Sequence, residues 1–97
     1  MPPETPTRLE AESVDGAISL IWDPNIEEDL AGYQILRGAP GDATLSLMTA
    51  APIATARYVD RAVVPGTSYV YTVVAIDNRV PLGNVSAESN RVEITAR

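Results

Sequence analysis

The sequence predicts an all-β sandwich of about seven short strands, and three observations carry this prediction. Apolar and polar residues alternate with a period of two over several short stretches, and turn-forming residues separate those stretches at regular intervals. No window of 11 residues keeps the 3.6-residue period of a helix. Because 97 residues suffice for one hydrophobic core, we expect a single domain whose two antiparallel sheets pack face to face.

The first six residues, MPPETP, hold three prolines and no apolar periodicity, which is typical of an extended linker. We therefore predict a tail at residues 1–6 and a domain at residues 7–97. In the first strand of that domain, one face carries Leu9, Ala11 and Ser13. A hairpin turn signal, Asp15-Gly16, follows this strand.

The second strand, AISLIW at 17–22, turns Ile18, Leu20 and Trp22 to one face and ends at Asp23-Pro24. The third, GYQILR at 32–37, turns Tyr33 and Ile35 to one face. The remaining strands are a short edge strand near 44–49, RYVD at 57–60, SYVYTVVAID at 68–77 and a last strand around Val92 and Ile94. Both faces of the strand at 68–77 are apolar, so we expect it to lie centrally in its sheet.

Charge and composition exclude several classes of function. The net charge of −6 would repel nucleic acid, and no apolar run approaches the ~20 residues needed to span a bilayer, so we expect no membrane insertion. Cysteine, histidine and lysine are absent, which removes the commonest general base, the commonest transition-metal ligands and the Schiff-base nucleophile. The sequence predicts a non-enzymatic protein with no catalytic residue, no cofactor-binding residue and no metal ligand.

One acidic stretch, DPNIEED at residues 23–29, allows two chemical hypotheses and a structural one. Asp23, Asn25, Glu27 and Asp29 alternate as in the first half of a calcium loop, but Glu28 and Gln34 stand where that loop needs its glycine and its closing glutamate. Alternatively, two of the carboxylates could form an acid/base pair, although such a pair needs a cleft and a raised pKa. The structural interpretation, a solvated connection between two strands with Leu30 tucked inward, is the one we favour.

Several of these residues together resemble a fibronectin type III domain over roughly residues 3–96. The resemblance rests on the proline segment before the first strand, on Trp22, and on the patterns GY-I-R, V-PGT-Y-Y-V-A-D and GN-SAESN. It implies a seven-stranded immunoglobulin-like sandwich with Greek-key connections, and a tyrosine corner at Tyr69 whose hydroxyl bonds to the preceding turn. The style of these motifs is similar to that of bacterial extracellular members, and the adhesive Arg-Gly-Asp tripeptide of some animal members is missing.

This resemblance implies a spacer or interaction module of a larger extracellular or cell-envelope protein, with adjacent domains of that protein as partners. A protein partner would use the loops at 23–31, 38–43 and 78–85. The alternative is an accessory carbohydrate-binding module attached to a polysaccharide-degrading enzyme, which would need exposed aromatic rings. The exposure of Tyr33, Tyr58 and Tyr71 separates the two hypotheses.

Overall fold

A computed structural model describes residues 3–49, 51–78 and 83–97 of the chain. Its seven strands are β1 (Thr7–Val14), β2 (Ala17–Asp23), β3 (Leu30–Gly38), β4 (Ser46–Leu47), β5 (Arg57–Asp60), β6 (Ser68–Asp77) and β7 (Val92–Thr95). The predicted all-β class is thereby confirmed. Among the described residues, no helix has the length and apolar character that crossing a membrane requires.

The strands form two antiparallel sheets. The three-stranded sheet has the order β1-β2-β5, and the four-stranded sheet has the order β4-β3-β6-β7. Strand β5 returns to the first sheet after β3 and β4 have been placed in the second, as in an immunoglobulin-like Greek key. Strand β6 lies between β3 and β7, which confirms its predicted central position, and its residues 70–75 are buried on both faces.

The core lies between the two sheets, where the alternation of each strand directs its apolar side chains. The core contains Ile18, Leu20, Trp22, Tyr33, Ile35, Tyr71 and Val73, each at most 3% exposed, together with Leu9, Ala75 and Ala96. The period of two placed Ile18, Leu20 and Trp22 on one face of β2 and Tyr33 and Ile35 on one face of β3, and all five lie in the core. Because such interiors are close-packed, truncating one of the aliphatic members to alanine leaves a cavity and costs about 2–5 kcal/mol.

The least regular part of the chain follows β3. The edge strand predicted at 44–49 is only Ser46–Leu47, paired with Arg37 and Leu36. Farther along, the Tyr33 N–H donates to the Ile53 carbonyl at 2.8 Å, and the Ile53 N–H donates back at 2.9 Å. This close approach requires Gly32, whose φ is +148° and where a β-carbon would lie 2.5 Å from the Ile53 oxygen.

The body measures 40 × 24 × 21 Å, and the first strand residue and the last residue of the chain lie near opposite ends of β1. Thr7 begins β1, whereas the Arg97 N–H donates to the Ser13 hydroxyl near the end of the same strand, at 2.9 Å. Six residues separate Thr7 from Ser13, which corresponds to about 20 Å at the ~3.3 Å rise of a strand. The length of β1 therefore separates the first strand residue from the last residue of the chain.

Candidate functional site

The acidic loop between β2 and β3 is fastened to the segment that precedes β1. The Glu4 N–H donates to Glu27 Oε2 at 2.6 Å, and the Asn25 side chain donates to the Glu4 carbonyl at 2.7 Å. The Asn25 backbone N–H donates to the Tyr33 hydroxyl, also at 2.6 Å. The loop therefore has partners from the chain itself, and Leu30 at its end packs against the core as expected.

The calcium hypothesis assigned ligand roles to alternate residues of this loop. Asp23 instead pairs with Arg8 at 3.0 Å, and Asp29 is exposed. Within residues 3–49, 51–78 and 83–97, no three acidic, histidine or cysteine side chains are grouped so that they could hold a metal ion. The loop's carboxylates are thus not brought together into a ligand set, and the prediction that the protein carries no metal site stays a prediction.

The acid/base hypothesis required a carboxyl with a raised pKa. For Glu27 the pKa is lowered, chiefly by the hydrogen bond from the Glu4 N–H; partial desolvation opposes this, and the Asn25 side chain adds to the lowering. A general acid acting near neutral pH needs the opposite shift. The pKa of Glu27 therefore does not favour a role as a general acid.

Aromatic side chains decide between the spacer and carbohydrate-binding hypotheses, because stacking on a sugar needs an exposed ring. Trp22, Tyr33 and Tyr71 are 3%, 1% and 0% exposed, and Tyr58 and Tyr69 are half-buried. The indole of Trp22 meets the ring of Tyr33 edge to face, with centroids 5.2 Å apart. None of the five aromatic residues presents an open platform to solvent.

At the opposite end of the core, one buried carboxylate joins the two sheets. Asp60 ends β5 and is 1% exposed. Its Oδ2 accepts hydrogen bonds from the Tyr71 hydroxyl at 2.6 Å and from Arg37 Nη1 at 2.9 Å, both on the other sheet. Its Oδ1 accepts the Ala62 N–H at 3.0 Å, and Arg37 Nη1 also donates to the Ala62 carbonyl. We call Arg37, Asp60 and Tyr71 the intersheet triad.

At the triad, the effect of hydrogen bonds on the pKa values of the two charged groups exceeds the effect of burial. Burial alone would raise the pKa of the Asp60 carboxyl, but the hydrogen bonds from Tyr71, the Ala62 N–H and Arg37 hold it below its usual value. Burial and the neighbouring carboxylate raise the pKa of the Tyr71 phenol. Burial would lower the pKa of Arg37, but Asp60 more than reverses this. The triad is therefore one negative and one positive charge with a neutral phenol, fixed at neutral pH.

Tyr69 lies beside the triad and forms the predicted tyrosine corner. Its hydroxyl accepts the Val64 N–H at 2.8 Å, which confirms that it bonds to the preceding turn. The Arg37 guanidinium lies over its ring, 5.0 Å from the centroid. One arginine thus contacts Asp60 and two tyrosine neighbours, so the corner and the triad form a single assembly.

No family model matches the chain. Two curated bacterial proteins contain a similar segment. The chain is 32% identical over 99 residues to exoglucanase B of Cellulomonas fimi, covering 98% of the chain and 8% of that protein. It is 34% identical over 91 residues to the amylopullulanase of Thermoanaerobacter thermohydrosulfuricus, covering 94% of the chain and 6% of that protein. The chain therefore spans less than a tenth of the length of either relative.

Solved structures show the fold. An Fn3-like protein from Clostridium thermocellum superimposes with a TM-score of 0.79 at 24% identity, covering 98% of this chain and 94% of that one. The chain therefore has the fold of a fibronectin type III domain. A crystal structure of the β-1,2-glucanase from Parabacteroides distasonis also matches, with a TM-score of 0.79 at 28% identity, over 97% of this chain and 13% of that one.

The intersheet triad was not predicted from the sequence. The signal lay in the register of β5: Tyr58 lies opposite Leu20 and Asp60 opposite Ile18, so both face inward. Period-2 alternation of RYVD, applied with Tyr58 facing inward, would have placed the Asp60 carboxylate in the core, where it needs a cation and hydrogen-bond donors. Arg37 pairs with Tyr71 across β3 and β6, but the sequence alone does not reveal this register.

A groove of about 440 Å³ opens beside the triad of this domain. Its polar and charged side chains are Arg37, Ser46, Thr67, Ser68 and Tyr69, and Leu47 and Met48 form much of its apolar wall. Arg37 is already neutralised by Asp60, and none of the described residues that line the groove supplies a carboxylate or an imidazole. The groove therefore lacks the pair of proton-transferring groups that hydrolysis of a glycosidic bond needs.

Proposed function

We propose that this fibronectin type III domain is a non-catalytic spacer and interaction module of a larger extracellular or cell-envelope protein that degrades polysaccharide. The observation that carries the proposal is the placement of the chain ends. The chain begins β1 at one end of the sandwich and finishes beside Ser13 at the other, about 20 Å along β1. Neighbouring domains attached at the two ends would be held apart by a folded body rather than by a flexible chain.

Comparisons with known proteins support the polysaccharide context of the proposal. The two curated relatives are named as an exoglucanase and an amylopullulanase, and the matching segment is 8% and 6% of their lengths. The matching segment is thus a small part of each relative. By this proposal the partners of the domain are the neighbouring domains of its own parent protein, and its location is that of a secreted or envelope enzyme.

The pairing of the charged groups with each other and with the backbone supports a non-catalytic role. Asp60 and Arg37 neutralise each other across the sheets, and Glu27 accepts a backbone N–H. We therefore assign no catalytic, cofactor-binding or metal-binding residue. The end loops at 23–31 and 38–43 are the surfaces left for contact with a neighbour; the third predicted loop, 78–85, includes residues 79–82, which lie outside the described residues.

The boundary between tail and domain also belongs to this proposal. The division into residues 1–6 and 7–97 stays a prediction. Pro3 and Pro6 are buried, and Glu4 contacts the acidic loop, so part of the tail packs on the sandwich. This packing would make the connection to a preceding domain stiff, so the orientation of the two domains relative to each other would be restricted.

The spacer role is tested by energy transfer between two fluorescent proteins fused to the ends of the 97-residue chain. A Gly/Ser linker of equal length is the control, with an r.m.s. span of about 55 Å that changes gradually with urea. We expect the domain to hold a constant transfer efficiency that changes in one cooperative step as it unfolds. A gradual change like that of the control, with no step, would contradict the spacer role.

Carbohydrate binding is tested separately by affinity electrophoresis in gels containing a soluble β-glucan or α-glucan. We expect the mobility of the domain to equal that in a gel without polysaccharide, because no aromatic ring is open. Retardation in either gel would favour the carbohydrate-binding alternative instead.

A further inference from the structure

The outer face of the three-stranded sheet changes its charge from one edge to the other. Its outward residues include Glu10, Glu12 and Val14 of β1, Ser19 and Ile21 of β2, and Arg57 and Val59 of β5, and the Arg8–Asp23 ion pair lies at one end of the face. The carboxylates of β1 that lie outside this ion pair, Glu10 and Glu12, stand on one side of Ile21, and Arg57 of β5 stands on the other. We call this surface the polar-edged face.

One row of this face contains all three kinds of side chain. Glu10 lies opposite Ile21, and Ile21 lies opposite Arg57, so the three stand side by side across the sheet. Ile21 is 50% exposed, and Val59 in the next row is 41% exposed. Ile21 on the central strand β2 and Val59 on the edge strand β5 therefore form an exposed apolar surface that association would bury.

Among the described residues, the charged groups of this row have no ion-pair partner. Two strand spacings separate Glu10 from Arg57, about 10 Å between backbones, and the described residues form ion pairs only at Arg8–Asp23 and Arg37–Asp60. Arg57 is therefore available to a carboxylate from another molecule. The partner that supplies matching carboxylates at the right spacing is a second copy of the same face.

Symmetry decides how two copies could meet. A two-fold axis lying in the contact plane and running along β2 exchanges the left and right edges of the sheet. Glu10 of each copy then lies over Arg57 of the other, and the two Ile21 side chains meet on the axis. An axis across the strands would instead place Glu10 and Glu12 over the same carboxylates of the second copy, which repel.

We infer that the polar-edged face binds a second copy of this chain in a weak dimer whose two-fold axis runs along β2. Facing sheets pack about 10 Å apart, a distance that Glu and Arg side chains bridge together. Three short strands bury less than the ~1,200 Å² of a standard interface, so the dimer is transient at low concentration. Because this axis preserves strand direction, the N-terminal ends of both copies lie at the same end.

Sedimentation velocity on the whole chain tests this assembly, at concentrations up to about 1 mM, where small interfaces associate. We expect a dissociation constant that rises between about 0.02 M and 0.5 M salt. Glu10→Arg and Arg57→Glu should each weaken association at least ~tenfold, and the double exchange Glu10→Arg/Arg57→Glu should restore it to within about threefold. Ile21→Ser should weaken association in either background.

Net charge provides the decisive control. Glu10→Arg adds two positive charges to a chain of net charge −6, so general repulsion between copies predicts stronger association, whereas the proposed contact predicts weaker association. Glu93→Arg makes the same change of charge on β7 of the other sheet and should not weaken association. A chain that stays monomeric throughout, or a dimer that Glu10→Arg leaves intact in a folded variant, overturns the proposal.

Discussion

The acidic loop and Asp60 present two opposite uses of carboxylates in one small domain. Four carboxylates lie within residues 23–29, yet Glu28 and Asp29 are exposed and Asp23 makes an ion pair whose two side chains are largely in water. Asp60 is a single carboxylate, 1% exposed, with three hydrogen-bond donors: Arg37 and Tyr71 of the other sheet and the Ala62 N–H that follows β5.

The difference indicates that the contribution of a carboxylate to the stability of this fold depends on its burial and not on the local density of charge. Ion pairs in water are screened and worth about 0–1 kcal/mol, whereas breaking a buried pair by removing one partner leaves the other charge uncompensated. The loop that stands out in the sequence is therefore energetically minor, and the carboxylate that does not stand out holds the sheets together. Substitutions at both places sharpen this contrast.

The largest effect is expected at the triad. Asp60→Ala leaves Arg37 and Tyr71 without their acceptor, and we expect the free energy of unfolding to fall by about 3–5 kcal/mol. Urea denaturation followed by the fluorescence of the single tryptophan, Trp22, measures this loss. Asp60→Asn keeps the shape of the side chain and serves as the milder variant if the alanine form does not fold. A loss below about 1 kcal/mol would show that the triad is dispensable.

Tyr71→Phe removes one donor from the same carboxylate. We expect a loss of about 1–3 kcal/mol, because the phenol is fully buried and its bond is to a charged group. The matched control is the double variant with Asp60→Asn. If the bond is direct, the double variant loses less stability than the sum of the losses of the two single variants. A loss equal to that sum would contradict the coupling.

Lowering the pH should reveal the contribution of Asp60 to the stability of the wild-type domain. The pKa of Asp60 is lowered by folding, so the stability it contributes is complete above the unfolded pKa of about 3.9 and is lost as the pH falls through the folded pKa. We expect the wild-type free energy of unfolding to decline below about pH 4 more steeply than that of Asp60→Asn. Parallel curves for the two proteins would show that ionisation of Asp60 does not contribute to the pH dependence of stability.

Tyr69→Phe tests the corner at the edge of the assembly. The Val64 N–H loses its acceptor but lies where water can replace it, so we expect a loss of about 1 kcal/mol. Thermal unfolding measures the shift, and Tyr58→Phe is the control, because Tyr58 is half-buried and its hydroxyl bonds to none of the described residues. An equal shift in both variants would mean that the corner bond contributes nothing.

The smallest effect is expected in the acidic loop. Asp23→Ala breaks the exposed pair with Arg8 and should change the free energy of unfolding by less than about 0.5 kcal/mol. Glu28→Ala, which removes an exposed carboxylate of the same loop, provides the comparison. A loss at Asp23 approaching that at Asp60 would reverse the contrast between the two regions.

Period-2 alternation was sufficient to predict the strands that carry core residues, and with them the sandwich. It did not give the short extent of β4, because pairing at Ser46–Leu47 depends on how residues 48–53 return to Tyr33. It could not give the triad, because Arg37, Asp60 and Tyr71 lie on three strands brought together only by the crossing between sheets. Local patterns record which face is buried, whereas partners across the core depend on the whole topology.

The placement of the two termini also has a mechanical consequence. Tension applied between a preceding and a following domain would act along β1, because Thr7 and the Arg97–Ser13 contact lie at its two ends. Strand β1 would have to slide lengthwise past β2, so the hydrogen bonds of its six registered residue pairs would be loaded together instead of opening one after another. This geometry resists stretching by shear, which suits a module that bears load between its neighbours.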